Sequence, residues 1–228
     1  MQFNTKIKDQ YIWVIVPALN EAAHIGTVLA KTKKITPQII VVDDGSRDQT
    51  SQIAYKYTAY VLTHKVNLGK GAALKTGCEY AFNELHAQAV VLMDADDQHD
   101  PLELPHFFSH LAQGHQVVLG TRNINEHMPF WRSFGNLAAS CFIRFFFGVY
   151  IVDIPSGYKA FTKQAYRRLK WASSNYAVEM EIATRIGKNR LDYVSLPIAT
   201  IYQKTDKGMT MLDILSMFWQ VLNWRFSL

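Results

Sequence analysis

The chain has 228 residues, 49% of them hydrophobic, with 24 Lys and Arg against 19 Asp and Glu, a formal charge of +5 and a pI near 9.1. That composition excludes broad disorder and suits one large α/β domain or two small ones. The basic excess points to an anionic partner without choosing among nucleic acid, phosphorylated ligands and acidic lipid.

The N-terminus, MQFNTKIKDQ, carries no apolar signal region. No stretch reaches about 18 apolar residues without a charge, so no clear spanning helix is expected. Residues 11–16 (YIWVIV) read as a buried strand and 23–34 as a helix. Residues 39–42 (IIVV) form a second strand, followed by a helix over about 48–58. Residues 60–63 make a short third strand, 72–85 a helix and 89–93 a fourth strand. Pro101 suits the first turn of a helix running towards residue 113, and 116–120 give a fifth strand. Continuous apolar strands alternating with helices predict a parallel sheet covered on both faces. Cys78 and Cys141, at no metal-like spacing and in apolar surroundings, are read as reduced core residues of a cytosolic protein.

Three of these strands run into polar groups: Pro17-Ala18-Leu19-Asn20-Glu21, Asp43-Asp44-Gly45-Ser46 and Asp94-Ala95-Asp96. In a parallel sheet these ends share one edge, where open α/β sheets bind ligands. Asp94 and Asp96 are two apart, so an extended backbone turns both carboxylates to one side. Such a pair repels itself unless a cation lies between, and Mg²⁺ is held by one or two carboxylates plus water and substrate phosphate. The plain alternative is a turn and helix cap, which is the reading for Asp97 and Asp100. His99 stands close enough to join a metal shell, although a surface role is the simpler expectation. Asp43 and Asp44 fit either an ordinary capped turn or acceptors for a base or ribose hydroxyl. Asn67-Leu68-Gly69-Lys70-Gly71 precedes a helix, where N–H groups and a lysine suit an anion, yet it matches neither a P-loop nor a dinucleotide fingerprint. Of Arg122, Arg132, Arg144 and Lys159, only Arg122 and Arg132 are raised above the default of solvated surface cations as phosphate contacts.

Taken in order, VIVPALNEAAHI, VVDDGSRDQT, NLGKGAALKTG, VLMDADDQHDP, LGTR and DIPSGYKAF, with YAVEMEIA and LPIATIY further on, resemble the family 2 glycosyltransferases of GT-A fold. The similarity is greatest to the dolichol-phosphate mannosyltransferase-like group, which acts on polyprenyl phosphates. It implies a Rossmann-like single α/β domain with a mostly parallel central sheet and helices on both faces. It also implies an inverting transferase that uses a nucleotide-sugar donor, GDP- or UDP-linked, and Mg²⁺ or Mn²⁺. By position, Pro17, Ala18, Asn20 and Glu21 would touch the nucleotide and Asp44, with Asp43, the base or ribose. Lys70, Gly71 and Ala95 join the donor side. Asp94 and Asp96 match the D-x-D metal motif, with Gln98 completing the shell. Arg122 and Arg132 would face donor diphosphate or acceptor phosphate, and Ser156 and Gly157 fall in the acceptor motif. Asp96, Asp153 and Arg132 are the candidate catalytic groups, with Asp153 as base if the acceptor is a hydroxyl. The sequence LGTR departs from the commoner G-S-R, and the pair of C-terminal membrane helices carried by many bacterial relatives is not seen.

The expected acceptor is a lipid phosphate, with a saccharide hydroxyl as the alternative and no nucleic-acid partner. Three rivals stand beside it: a sugar nucleotidyltransferase, a non-catalytic nucleotide-binding module and a membrane-associated scaffold. The transferase domain is expected over 1–210 and an amphipathic helix over 211–228. Within it, Asp213, Ser216, Gln220 and Asn223 form one polar stripe on an aromatic helix. Residues 211–226 would span only about 24 Å, short of a bilayer. With the apolar run 137–152, that helix is expected to pack on the core or another chain, or to lie on the cytoplasmic face of a membrane.

Overall fold

A computed structural model of the chain describes residues 7–122 and 130–199, with 130–135 described by their backbone alone. The expected C-terminal helix at 211–228 lies outside the described residues, as do the side chain of Arg132 and the boundary at 210.

The first half follows the expected alternation. Strand β1 (Ile12–Ala18) leads to helix α1 (Ile25–Lys33), β2 (Ile39–Asp43) to α2 (Thr50–Ala54), and β3 (Val61–Thr63) to α3 (Lys70–Asn83). β4 (Ala89–Leu92) is followed by a 3-10 turn (Pro101–Glu103), α4 (Leu104–Ala112) and β5 (Val117–Arg122). The second half adds α5 (Phe130–Phe147), β6 (Lys159–Thr162), α6 (Lys163–Leu169), α7 (Val178–Lys188) and β7 (Val194–Ile198). Among the described residues these strands form one seven-stranded sheet in the order β3-β2-β1-β4-β6-β5-β7.

The sheet is parallel except at β6, which enters between β4 and β5 antiparallel to both. The strands of the central run β2-β1-β4 are buried on both faces, which is why they read as unbroken apolar stretches. Alternation along β1 sends Trp13 and Ile15 to one face and Ile12, Val14 and Val16 to the other. The first face packs against α3, α5, α6 and α7, and the second against α1, α2 and α4. The ends of β1, β2, β4 and β5 therefore lie on one edge. The chain leaves β1 towards β2 on one side and returns to β4 on the other, which opens a crevice at that point. One core expectation fails. Cys78 is buried in α3, but Cys141 is exposed, because on α5 it shares the outward face with Leu137 and Phe145, one turn away on either side.

Candidate active site

The end of β1 is stitched to the end of β2. Asp44 N–H donates to Ala18 O at 2.8 Å. Asn20 adopts a left-handed backbone (φ 55°), its N–H donates to Ser46 Oγ and its side-chain oxygen accepts from Arg47 N–H, each at 2.8 Å. Glu21 N–H donates to Thr50 Oγ1 at 2.8 Å, and its carboxylate lies 2.9 Å from His24 Nδ1. Pro17 sits beside them, in register with Val42.

Asp43 and Asp44 are buried framework acids in this arrangement. Asp43 accepts from Ser46 N–H at 2.8 Å and from the Ser51 hydroxyl. Asp44 accepts from Leu68 N–H at 2.9 Å and Gly69 N–H at 2.7 Å, and it meets His64 Nδ1 at 2.7 Å. Asp44 thus pins the loop that starts α3. Two of that loop's N–H groups, those of Leu68 and Gly69, are taken up by Asp44. Ala72 N–H donates to Ser174 O at 3.0 Å, and the Trp171 indole donates to Gly71 O at 2.8 Å. A Cβ on Gly69 or Gly71 would come within 2.4 or 2.2 Å of the Ser174 or Ser173 carbonyl oxygen. The glycines admit the chain's own 173–174 strap.

The centre is the D-x-D pair beyond β4. Asp94 is paired with Lys70 Nζ at 2.8 Å, and Lys70 also reaches Glu179 Oε1 at 3.1 Å. Glu179 in turn pairs with Lys159, whose ammonium also donates to the carbonyls of Ile154, at 3.2 Å, and Ser156. Burial alone would raise the Asp94 carboxyl, but Lys70 and His99 hold it down to about 2. Burial, with the charge of Asp94 beside it, pushes Asp96 up to about 6. Burial alone would lower Lys70, yet Asp94 and Glu179 keep its ammonium well above the ordinary lysine value. Ala95 is buried between the two acids, Asp97 takes a left-handed turn (φ 57°) and accepts from Lys31, and Asp100 caps the 3-10 turn through Leu102 N–H. Gln98 N–H donates to Asp96 Oδ1 at 3.0 Å, placing Gln98 on the same turn.

Two residues read as surface groups are buried here. His99, 4% exposed, packs on the Tyr158 ring, and burial with nearby cations lowers it to about 4. Lys159, 2% exposed, is buried because Glu179 and two carbonyls satisfy it. Glu179 itself was legible only as one acid within YAVEMEIA, since its partners lie far away in sequence.

The pair Asp94–Asp96 fits a divalent ion. One buried carboxylate raises the other, and a cation between them removes that cost. Gly157 leaves room for the Asp94 carboxylate itself: a Cβ there would lie 2.2 Å from Asp94 Oδ2. Among the described residues no group of three or more His, Cys, Asp and Glu could hold a metal, so the remaining ligands would be phosphate, amide oxygen or water.

At the end of β5, Arg122 is planted by Asp153. Its N–H, Nε and Nη2 donate to the carboxylate at 3.0, 2.8 and 2.8 Å. Asp153, considered as a general base, here anchors a guanidinium. Ser156 is buried, and its Oγ makes no hydrogen bond among the described residues. Asn136 and Ser140 of α5 hold the carbonyls of Val152 and Ile151, which fixes the loop bearing Asp153.

A crevice at the switch of a mostly parallel sheet, with an acidic pair at its centre, defines a GT-A glycosyltransferase. The glycosyl transferase family 2 model matches residues 13–171, and the chain belongs to that family. It is 30% identical to the UDP-N-acetylglucosamine–dolichyl-phosphate N-acetylglucosaminyltransferase of Methanococcus voltae, over 94% of this chain and 96% of that one. It is 28% identical to the polyprenol monophosphomannose synthase of Mycolicibacterium smegmatis, over 81% of this chain and 75% of the relative. The glucosyl-3-phosphoglycerate synthase of Mycobacterium tuberculosis, solved with Mn²⁺ and UDP-glucose, superposes with a TM-score of 0.67 at 24% identity, covering 92% of this chain and 76% of that one.

Proposed function

We propose that the enzyme transfers a sugar from a nucleoside-diphosphate donor to a polyprenyl or dolichyl phosphate, with inversion at the anomeric carbon. The observation that carries this reading is the placement of two kinds of anion handling on one sheet edge. Asp94 and Asp96 stand at β4, and the Asp153-anchored Arg122 stands at β5. The names of the relatives that act on dolichyl and polyprenyl phosphates support the acceptor.

Asp94 and Asp96, with Gln98, would hold Mg²⁺ or Mn²⁺ against the donor diphosphate. There the ion supplies Lewis acidity and charge neutralisation for the departing nucleoside diphosphate. The ends of β1 and β2 with the loops that follow, from Pro17 to Glu21 and across Asp43 and Asp44, would form the wall for the nucleotide. Arg122 presents fixed positive charge to an incoming phosphate, and Arg132 is the second arginine proposed for it. A phosphate oxygen attacks the anomeric carbon as the bond to the diphosphate oxygen breaks on the opposite face. A phosphate monoester with a second pKa near 6 is already largely ionised at neutral pH, so no side chain need remove a proton. That agrees with Asp153 being committed to Arg122.

The test is transfer of labelled sugar from a panel of GDP- and UDP-sugars to a short polyprenyl phosphate. Asp96→Ala should lower the rate by about a thousandfold, the equivalent of roughly 4 kcal/mol of charge stabilisation. Transfer that persists undiminished in EDTA would remove the metal from the mechanism. Transfer only to free saccharide hydroxyls would remove the lipid acceptor.

A further inference from the structure

Glu179 reaches the D-x-D pair and the sheet edge through two lysines. It stands in the first turn of α7 at 6% exposure and takes two ammoniums, Lys70 from the start of α3 and Lys159 from the start of β6. Lys70 is shared: it lies 2.8 Å from Asp94 Oδ1 and 3.1 Å from Glu179 Oε1. Glu179 Oε1 is buried and makes no hydrogen bond among the described residues, only this ion pair. The oxygen can thus take a closer contact. Asp94 has less freedom, because the Gly157 backbone packs against its carboxyl.

A divalent ion on Asp94 would compete with Lys70 for one carboxylate, since two cations on adjacent oxygen lone pairs repel strongly at low dielectric. The geometry points to Glu179 as a positioning residue that draws Lys70 off Asp94 when a divalent cation binds, so that the Asp94 carboxylate faces the ion. This rests on Asp94 and Asp96 being the cation ligands. Lys159 holds Glu179 in place: it is buried, and its other contacts are the carbonyls of Ile154 and Ser156. The same contacts tie the seat of Lys70 to the loop that carries Asp153.

The test is Mn²⁺ binding to the full chain without nucleotide, read from the loss of the free-ion electron paramagnetic resonance signal. Glu179→Gln leaves Lys70 with Asp94 as its one carboxylate and should weaken Mn²⁺ binding by about 10- to 100-fold, the range for groups that orient a metal ligand. Lys70→Gln leaves the Glu179–Lys159 pair intact and frees Asp94, and should tighten Mn²⁺ binding several-fold. The double variant should recover from the weakness of Glu179→Gln. Lys70→Gln carries the test if Glu179→Gln does not fold. Lys70→Gln binding Mn²⁺ no tighter than wild type, or a double variant as weak as Glu179→Gln, overturns the inference. Asp96→Ala is the control for the reading beneath it. If Asp96→Ala binds Mn²⁺ as well as wild type does, the acidic pair is not the cation site at all.

Discussion

Gly157 shows how closely the residues around the acidic pair are fitted. Its backbone lies outside the left-handed region, so alanine is tolerated conformationally, yet the new Cβ would fall 2.2 Å from Asp94 Oδ2 and 2.7 Å from Cγ. The carboxylate would have to turn, and a displacement of about 1 Å at a reacting centre can cost about 100-fold in rate. Gly157→Ala should therefore lower metal-dependent sugar transfer by that order while leaving the melting temperature nearly unchanged. A variant with wild-type turnover would show that the close approach has no bearing on activity. The sequence made this constellation only partly visible. Asp94, Asp96 and Arg122 announce themselves by chemistry and position. Lys159 and His99 do not, because a lone lysine or histidine gives no sign of burial, and their partners arrive from elements that are distant in the chain. Gly157, grouped by motif with the acceptor, also packs against the D-x-D acid.

Among the elements, α7 and the strap before it govern how the start of α3 is presented. Glu181, fully buried, accepts from Ala172 N–H, Ser173 N–H, the Ser173 hydroxyl and Arg185 Nε, the last at 2.7 Å. It thereby fixes the carbonyls of Ser173 and Ser174 over Gly71 and Gly69, one residue either side of Lys70. Burial alone would raise this carboxyl, but the Ser173 hydroxyl, the two N–H groups and Arg185 lower it overall. A depressed folded-state pKa means the stabilisation is present above the ordinary glutamate value of about 4.3 and is lost as pH falls through the lower folded value. Hydrogen bonds to a charged group are worth about 1.5–3 kcal/mol, so Glu181→Gln should lower the melting temperature at pH 7 by roughly 5 °C. The gap between the two proteins should close below about pH 4. A gap of the same size at pH 7 and pH 3 would mean that Glu181 does not act through its charge. The strands β1 to β5 were legible because buried runs bounded by Pro, Gly and Asp have a local signature. β6 has none: KAFT is four residues long, begins with a lysine, and becomes a strand only through antiparallel pairing with β4 and β5.

For the whole molecule, the lipid-phosphate acceptor proposed above raises the question of how it would reach Arg122. Helix α5 supplies an answer, because it is clamped by Asn136 and Ser140 to the loop that carries Asp153. Its outward face carries Leu137, Cys141 and Phe145 at four-residue spacing, with Phe145 82% exposed, and Tyr150 and Val152 continue the apolar surface beyond it. Among the described residues no helix is long and apolar enough to cross a membrane. If the acceptor is the proposed membrane lipid phosphate, the stripe would lie on the bilayer surface, and the net charge of +5 favours an anionic one. Burying a Leu and a Phe side chain is worth about 1.5–3 kcal/mol each, so removing both should weaken partitioning by roughly a hundredfold or more. The double variant Leu137→Ser/Phe145→Ser should stay at the bottom of a gradient in which wild-type protein floats with anionic liposomes. Since both side chains are exposed, its fold and its stabilisation by nucleoside diphosphate with Mn²⁺ should persist. If wild type never floats and sediments as a dimer that the same substitutions dissociate, the stripe is a subunit contact, and the acceptor must reach Arg122 by another path.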